Sequence, residues 1–255
     1  MDNRFLTSGV RARVFWPAWL VLGAALLATL LVSLYVKKRI DADAVRRFAV
    51  TADQVALKIQ ERLNAYALML RGSAALFTAS DHVDRHEWRE YIELQRSPLP
   101  DPGLKGMGYI PLISRAQLPQ VVGSIRREGL TDYSIHPPGE RDTYAPVQYL
   151  EPMVDRNRRF LGFDMQTDAG SLAAMERARD TEEVAITSKV SLALEMDEEG
   201  EAGIRLFAPI YASNRPHETV TQRRSALRGW VYSSYRIDNI LASISMLEMG
   251  HAADL

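Results

Sequence analysis

The chain has 255 residues, 47% apolar and 25% charged, with a formal net charge of −1. That length suffices for one large domain or two small ones with a real core, and the charge balance lacks the basic surplus of a nucleic-acid binder. It contains no cysteine, which excludes disulfide frameworks, thiolate nucleophiles and sulfur-built zinc sites.

The first element is apolar. No charged residue occurs from Val14 to Val36, and the run includes Leu20, Leu26, Leu27, Leu30 and Leu31. A helix of about 20 residues crosses a bilayer core. Trp16, Trp19 and Tyr35 lie near its ends, where amphipathic rings favour the interface. A cleaved signal peptide would have a shorter apolar core of about 7–15 residues followed by small residues. Here Lys37, Lys38 and Arg39 follow instead. The expectation is an uncleaved membrane helix over 14–36, with residues 1–13 in the cytoplasm. Charge alone slightly favours the opposite orientation, because Arg4, Arg11 and Arg13 precede the segment while Lys37, Lys38, Arg39, Arg46 and Arg47 follow it. Long domains translocate regardless of charge, so the identity of the domain decides.

Next, Val55, Ile59, Leu63, Tyr66, Leu70, Ala74 and Phe77 recur at steps of three and four, the stripe of an amphipathic helix. No proline interrupts residues 37–79, so one stalk helix about 60 Å long is expected there. The stripe can pack against its own domain or form a parallel dimer seam. Ser80 and Asp81 then break the pattern and can cap a helix over 86–94. A turn-rich linker follows at Pro98–Gly103. Beyond it, strands are predicted at 108–110, 133–135, 147–149, 185–187, 192–194, 204–207 and 229–232, with helices at 114–128, 169–179 and 237–247. Polar loops are expected at 197–201 and 213–224. Strands with interposed helices imply an α+β fold.

Catalytic patterns do not assemble. The glycine-rich segment Pro102–Gly108 is followed by Tyr109-Ile110-Pro111, not by the lysine and hydroxyl residue of a phosphate loop, and reads as strand entry. His82 and His86 lack the glutamate of a zinc-protease helix, because Val83 follows His82. The acidic run Asp197-Glu198-Glu199 lacks the ligand alternation of a calcium loop. No cofactor is implied, and the chain is not expected to be an enzyme.

Arg141-Asp142-Thr143-Tyr144-Ala145-Pro146-Val147 resembles the R-D-x-Y-A-P-V motif of CHASE domains, the extracellular sensors of plant cytokinin receptors and of bacterial histidine kinases and cyclases. Gly106–Pro111, Tyr149-Leu150-Glu151-Pro152, Asn157, Leu161–Met165, Ala178–Thr181, Ile186-Thr187-Ser188, Leu206–Tyr211 and Gly229-Trp230-Val231 follow the family pattern in order, over roughly residues 48 to 250. The resemblance implies the stalk helix over 37–79, a membrane-distal PAS-like ligand-binding part over 80–228, and the start of a membrane-proximal PAS-like part over 229–255. It also implies a second membrane helix and a cytoplasmic output domain beyond Leu255.

By the same resemblance Asp164 matches the acidic residue that accepts hydrogen bonds from cytokinin, and Ile186 matches an apolar residue whose backbone touches the ligand. Thr181 matches a structural position. Near Glu195, where the plant site makes a further polar contact, the residues differ. Arg141, Asp142 and Tyr144 can serve the pocket or cap a loop. Tyr149, Met165, Phe207, Tyr211 and Tyr232 are candidate wall residues or plain core. If Asp164 anchors a ligand, its carboxylate has no obligatory partner in the free protein, and its loss would leave stability nearly unchanged. The alternative is a structural ion pair with Arg141.

The expectation is therefore an inner-membrane receptor, single or double pass, with a periplasmic sensor. Its partners would be the membrane, a second copy of the chain, and a small ligand such as an adenine-type cytokinin or a short peptide. Rival readings are a dimerisation module without a ligand and a membrane-tethered periplasmic hydrolase.

Overall fold

The computed structural model describes residues 16–80, 82–96, 103–191, 202–240 and 242. The chain divides into two units, Met1–Leu57 and Lys58–Leu255. The first unit contains the early part of helix α1, which spans Trp16–Ala79. Within it, Trp19–Arg39 is long and apolar enough to cross a membrane, and none of that stretch is buried in protein. Leu26, Leu27, Leu30 and Leu31 are all exposed. Apolar side chains so placed are unfavourable in water and suit hydrocarbon.

The second unit is built on a six-stranded antiparallel sheet. In chain order its strands and helices are the end of α1, α2 (Arg85–Arg96), β1 (Leu104–Pro111), β2 (Ile113–Ser114), α3 (Leu118–Arg127), β3 (Thr143–Tyr144), β4 (Tyr149–Glu151), α4 (Asp155–Arg158), α5 (Ala169–Thr181), β5 (Ala185–Ile186), β6 (Val190–Ser191), β7 (Ala202–Tyr211), α6 (Val220–Ala226) and β8 (Leu227–Arg236). The sheet order is β4-β1-β8-β7-β5, with β6 also on β7, while β2 and β3 pair apart. The helix and strand content bears out the α+β expectation. The expected boundary at residue 229 is corrected. It falls inside β8, which pairs with both β1 and β7 at the centre of the sheet. Gly229–Arg236 therefore belongs to the same sheet as Leu104–Pro111, because only that placement satisfies the backbone of two neighbouring strands at once.

Strand alternation sends side chains to opposite faces. Met107, Leu206, Ala208, Val231 and Tyr235 share one face and pack on Tyr66, Leu70, Ala74 and Phe77 of α1 and on Trp88 and Ile92 of α2. The sequence stripe thus packs against its own sheet from Ile59 to Phe77. Tyr66 stacks on Tyr235 with centroids 3.9 Å apart, and Phe77 stacks on Tyr109 at 4.2 Å. On the other face, Ile110, Trp230, Tyr232 and Phe207 pack on Phe160, Met165, Met175 and Ala178. Gly108 stands opposite Tyr232, and a Cβ there would lie 2.3 Å from the Tyr149 carbonyl oxygen, so the close approach of β4 requires glycine.

Several local expectations change. Helix α2 is capped by Asp84, whose Oδ1 accepts from the backbone of His86 and Glu87 at 2.7 and 2.8 Å; Glu87 Oε2 accepts from the Asp84 backbone at 2.9 Å. This reciprocal cap displaces Ser80 and Asp81 from that role; Asp81 lies outside the described residues. His82 precedes α2 and shares no helix face with His86. Residues 133–135 form no strand, because Pro137 and Pro138 offer no backbone donors to extend a ladder. Only the bridge His136↔Phe163 forms there. The expected loop at 213–224 contains the start of α6, capped by the reciprocal Thr219–Gln222 pair. Helix α3 starts late because Gln117 Oε1 binds Ser114 through its backbone and hydroxyl, holding Ser114 in β2. The expected strand at 192–194 and loop at 197–201 lie outside the described residues. So does most of the expected helix at 237–247, whose described residues are helical.

Burial also sets an alkaline limit. It pushes Tyr149 and Tyr211 from 10.0 up to about 12 and raises Tyr109 and Tyr133 as well. The unfolded phenols ionise near pH 10 while the folded ones keep their protons, so the unfolded state binds fewer protons above that point. The tyrosine contribution to stability is expected to be fully present below about pH 10 and to be lost as pH rises from about 10 through about 12. Urea unfolding midpoints measured alongside tyrosinate absorbance check this. Native tyrosines that all ionise near pH 10, with no drop in midpoint, would refute it.

Candidate ligand site

The motif Arg141–Val147 and the segment Phe160–Met165 are threaded together by backbone hydrogen bonds. Val147 donates to Phe163 O at 3.0 Å, Gly162 to Val147 O at 2.9 Å, and Met165 to Ala145 O at 3.0 Å. On the other side, His136 donates to Gly162 O at 3.0 Å and Asp164 to His136 O at 2.8 Å. The segment carrying Asp164 is therefore held between two loops. Gly162 makes this possible at φ +85°, where a Cβ would sit 2.0 Å from Ser134 O.

Asp164 is 0% exposed. Its Oδ1 accepts from the backbones of Ala145 and Gln166 at 3.0 and 3.2 Å, and its Oδ2 lies 3.2 Å from Arg141 Nη1. A carboxylate offers about four acceptor positions, and three are filled. This corrects the expectation that the free protein leaves the carboxylate without a partner; the ion-pair alternative is what forms. Arg141 in turn lies over the Tyr144 ring at 5.7 Å, and its backbone donates to Tyr144 Oη at 3.0 Å. Tyr144 Oη donates to Gly139 O at 3.0 Å, closing the loop. Tyr144 also lines a cavity of about 280 Å³ with Val122 and Arg126 of α3 and with Ile135 and Pro137.

Arg141, Tyr144 and Asp164 thus come together, with Met165 next to Asp164 and buried in the same core as Phe207 and Tyr232. Asp142 is exposed, and its carbonyl accepts from the Arg115 backbone at 2.9 Å, which closes the loop onto the end of β2. The other candidates stand elsewhere. Tyr149 belongs to the core against α1 and α2, where Arg85 covers its ring at 4.9 Å and its hydroxyl donates to Val83 O at 3.0 Å. Ile186 pairs with Leu206 and points to the helix side of the sheet. Tyr211 donates to Arg179 O at 2.5 Å and stacks on His217. Thr181 returns a hydroxyl bond to Arg177 O, as a helix-end residue does. Glu195 lies outside the described residues.

A buried cation stands outside the residues that the sequence points to. Arg205, in the middle of β7, is 2% exposed. Its Nη1 lies 2.7 Å from Asp168 Oδ2 and 3.2 Å from Ser171 Oγ, and the guanidinium stands 5.5 Å over the Phe160 ring. Asp168 is also the N-cap of α5, accepting from Gly170 at 3.0 Å. An arginine inside the apolar run Ile204–Pro209 was the available signal. Among the described residues, no group of three or more His, Asp or Glu side chains could hold a metal ion.

Residues 81–254 match the CHASE domain. The chain belongs to the CHASE domain family. CHASE domains are extracellular sensory domains, and the mixed helix-and-sheet unit described above is this chain's example of one. No curated protein matches the chain. Among solved structures, the ligand-binding domain of the Pseudomonas aeruginosa PAO1 amino acid chemoreceptor PctC in complex with GABA is similar, at 14% identity and a TM-score of 0.40. The likeness covers 77% of this chain, which spans 63% of that domain.

Proposed function

We propose that this CHASE chain is the input region of a membrane-bound receptor that senses a small organic molecule outside the cytoplasm. The reading rests on the CHASE match over residues 81–254, whose R-D-x-Y-A-P-V motif here builds the Arg141–Asp164 pair beside a cavity. Trp19–Arg39 anchors the sensor in the inner membrane, and α1 passes the response towards a cytoplasmic output domain. Phe48, Leu57 and Leu68 are exposed on α1, which favours a homodimer through that helix.

In the ligand site, Asp164 positions Arg141 rather than meeting the ligand alone. Arg141 is 27% exposed in its side chain and uses Nη1 for the aspartate, leaving the rest of its planar fork for an acceptor on the ligand. Tyr144 supplies a wall, together with Val122, Ile135 and Pro137. The test is a screen of small metabolites, cytokinins and short peptides against the full chain in nanodiscs, read by thermal shift and titration. A hit is expected to bind Arg141→Gln about ten- to a hundred-fold more weakly, as loss of a charge-assisted hydrogen bond requires. A hit whose affinity is the same in Arg141→Gln would remove this pair from the site. A domain found on the cytoplasmic side by reporter fusions would remove the receptor reading altogether.

A further inference from the structure

A second cleft lies on the opposite side of the sheet, between α1 and the end of β7, with a volume of about 280 Å³. Its floor is apolar and made of short side chains, Ala74 and Ala75 from α1 and Ala208 and Pro209 from β7. Two charged groups edge it. Arg71 of α1 makes no hydrogen bond or ion pair with any described residue. Glu182, just after α5, has only long contacts, 3.4 Å to His217 Nε2 and 3.8 Å to Arg223 Nη1. Glu182 is the C-cap of α5, at φ +63°, and its backbone donates to Ala178 O.

We infer that this cleft binds a small zwitterion with an ammonium and a carboxylate at the two ends of a short apolar chain. The carboxylate goes to the Arg71 guanidinium and the ammonium to Glu182, while the methylenes cover the alanine floor. A fatty acid or an amine satisfies one wall and leaves the other charge facing apolar carbon, which is unfavourable. The cleft is separate from the Arg141–Asp164 site, since none of its lining residues belongs to that loop. An occupant touches α1 and the sheet together, so it can modulate how the helix rests on the domain.

The experiment is isothermal titration of the full chain in nanodiscs with 6-aminohexanoate, 6-hydroxyhexanoate and 6-aminohexanamide. The zwitterion is expected to bind at least about tenfold more tightly than either singly charged analogue, a difference of about 1.4 kcal/mol. Arg71→Gln and Glu182→Gln are each expected to weaken it about tenfold, and Arg71→Lys to keep most of the affinity. Ala75→Leu, an exposed change to another good helix former that fills the cleft, is expected to abolish binding without unfolding the domain. No heat from the unaltered chain overturns the proposal. So does an affinity unchanged by Ala75→Leu, which would put the zwitterion elsewhere, or one lost with Ala75→Leu but indifferent to both charge changes.

Discussion

Asp164→Ala is expected to destabilise the sensor unit by about 3–5 kcal/mol, because the buried carboxylate satisfies two backbone donors and one guanidinium at once. Removing it leaves the Ala145 and Gln166 amides without an acceptor, and an orphaned buried donor costs roughly 1–3 kcal/mol. Arg141 loses its counter-charge as well, although its partial exposure lets water recover some of that loss. Asp164→Asn is expected to fall between, since one amide oxygen still serves the two backbone donors while the amide group faces the guanidinium. Arg141→Gln should cost less than either. Urea unfolding of the full chain, followed by fluorescence of the buried Trp88 and Trp230, measures all three. An Asp164→Ala midpoint within error of the unaltered chain would show that the network contributes nothing. It would also restore the view that the carboxylate waits for a ligand.

Gly162→Ala is expected to be comparably damaging through a different cause. At φ +85° an L-residue is strained, which costs on the order of 1–3 kcal/mol. The new methyl would also lie 2.0 Å from Ser134 O, and the obstacle is backbone rather than the far end of a flexible side chain. Relief requires Ser134 and His136 to move away, which breaks the His136–Gly162 and Asp164–His136 backbone bonds. The variant is therefore expected to lose stability and to release the segment carrying Asp164, with faster amide exchange at position 162 and at Asp164. By contrast Gly123→Ala, where nothing lies within 4 Å of the added carbon and the position is an exchangeable helical one, is expected to be neutral or slightly stabilising. Equal behaviour of the two variants would sink the argument.

Much of the candidate site was legible as a resemblance and less of it as physics. The R-D-x-Y-A-P-V motif located Arg141 and Tyr144, and the Phe163-Asp164-Met165 segment located the carboxylate. The sequence offers their contact only as an alternative, because Arg141 and Asp164 stand 23 positions apart, and no local rule brings two loops together over that distance. The resemblance groups Ile186 with Asp164, and residue type alone groups Tyr149 and Tyr211 with it. An aromatic suits a pocket wall and a core equally, and only strand register assigns it to one face of a sheet. Ile186 shows the limit: its pairing with Leu206 turns it to the helix side, and a slip of one residue would have turned it to the other.

What the sequence by itself determined is what short-range patterns encode. The uncharged run up to Val36 marks a membrane-length helix, since hydropathy is summed along one segment. The three-and-four spacing from Ile59 to Phe77 marks one buried face, since the helix period maps it directly. The capping boxes Asp84–Glu87 and Thr219–Gln222 cover four residues each and are equally local. Only the tertiary structure decided that β8 lies between β1 and β7, that Arg205 is buried against Asp168, and that Asp164 is already partnered. Each of these depends on which distant backbone and side-chain groups satisfy one another once water is excluded. That choice is made by the whole fold, because a buried polar group is stable only beside its partner.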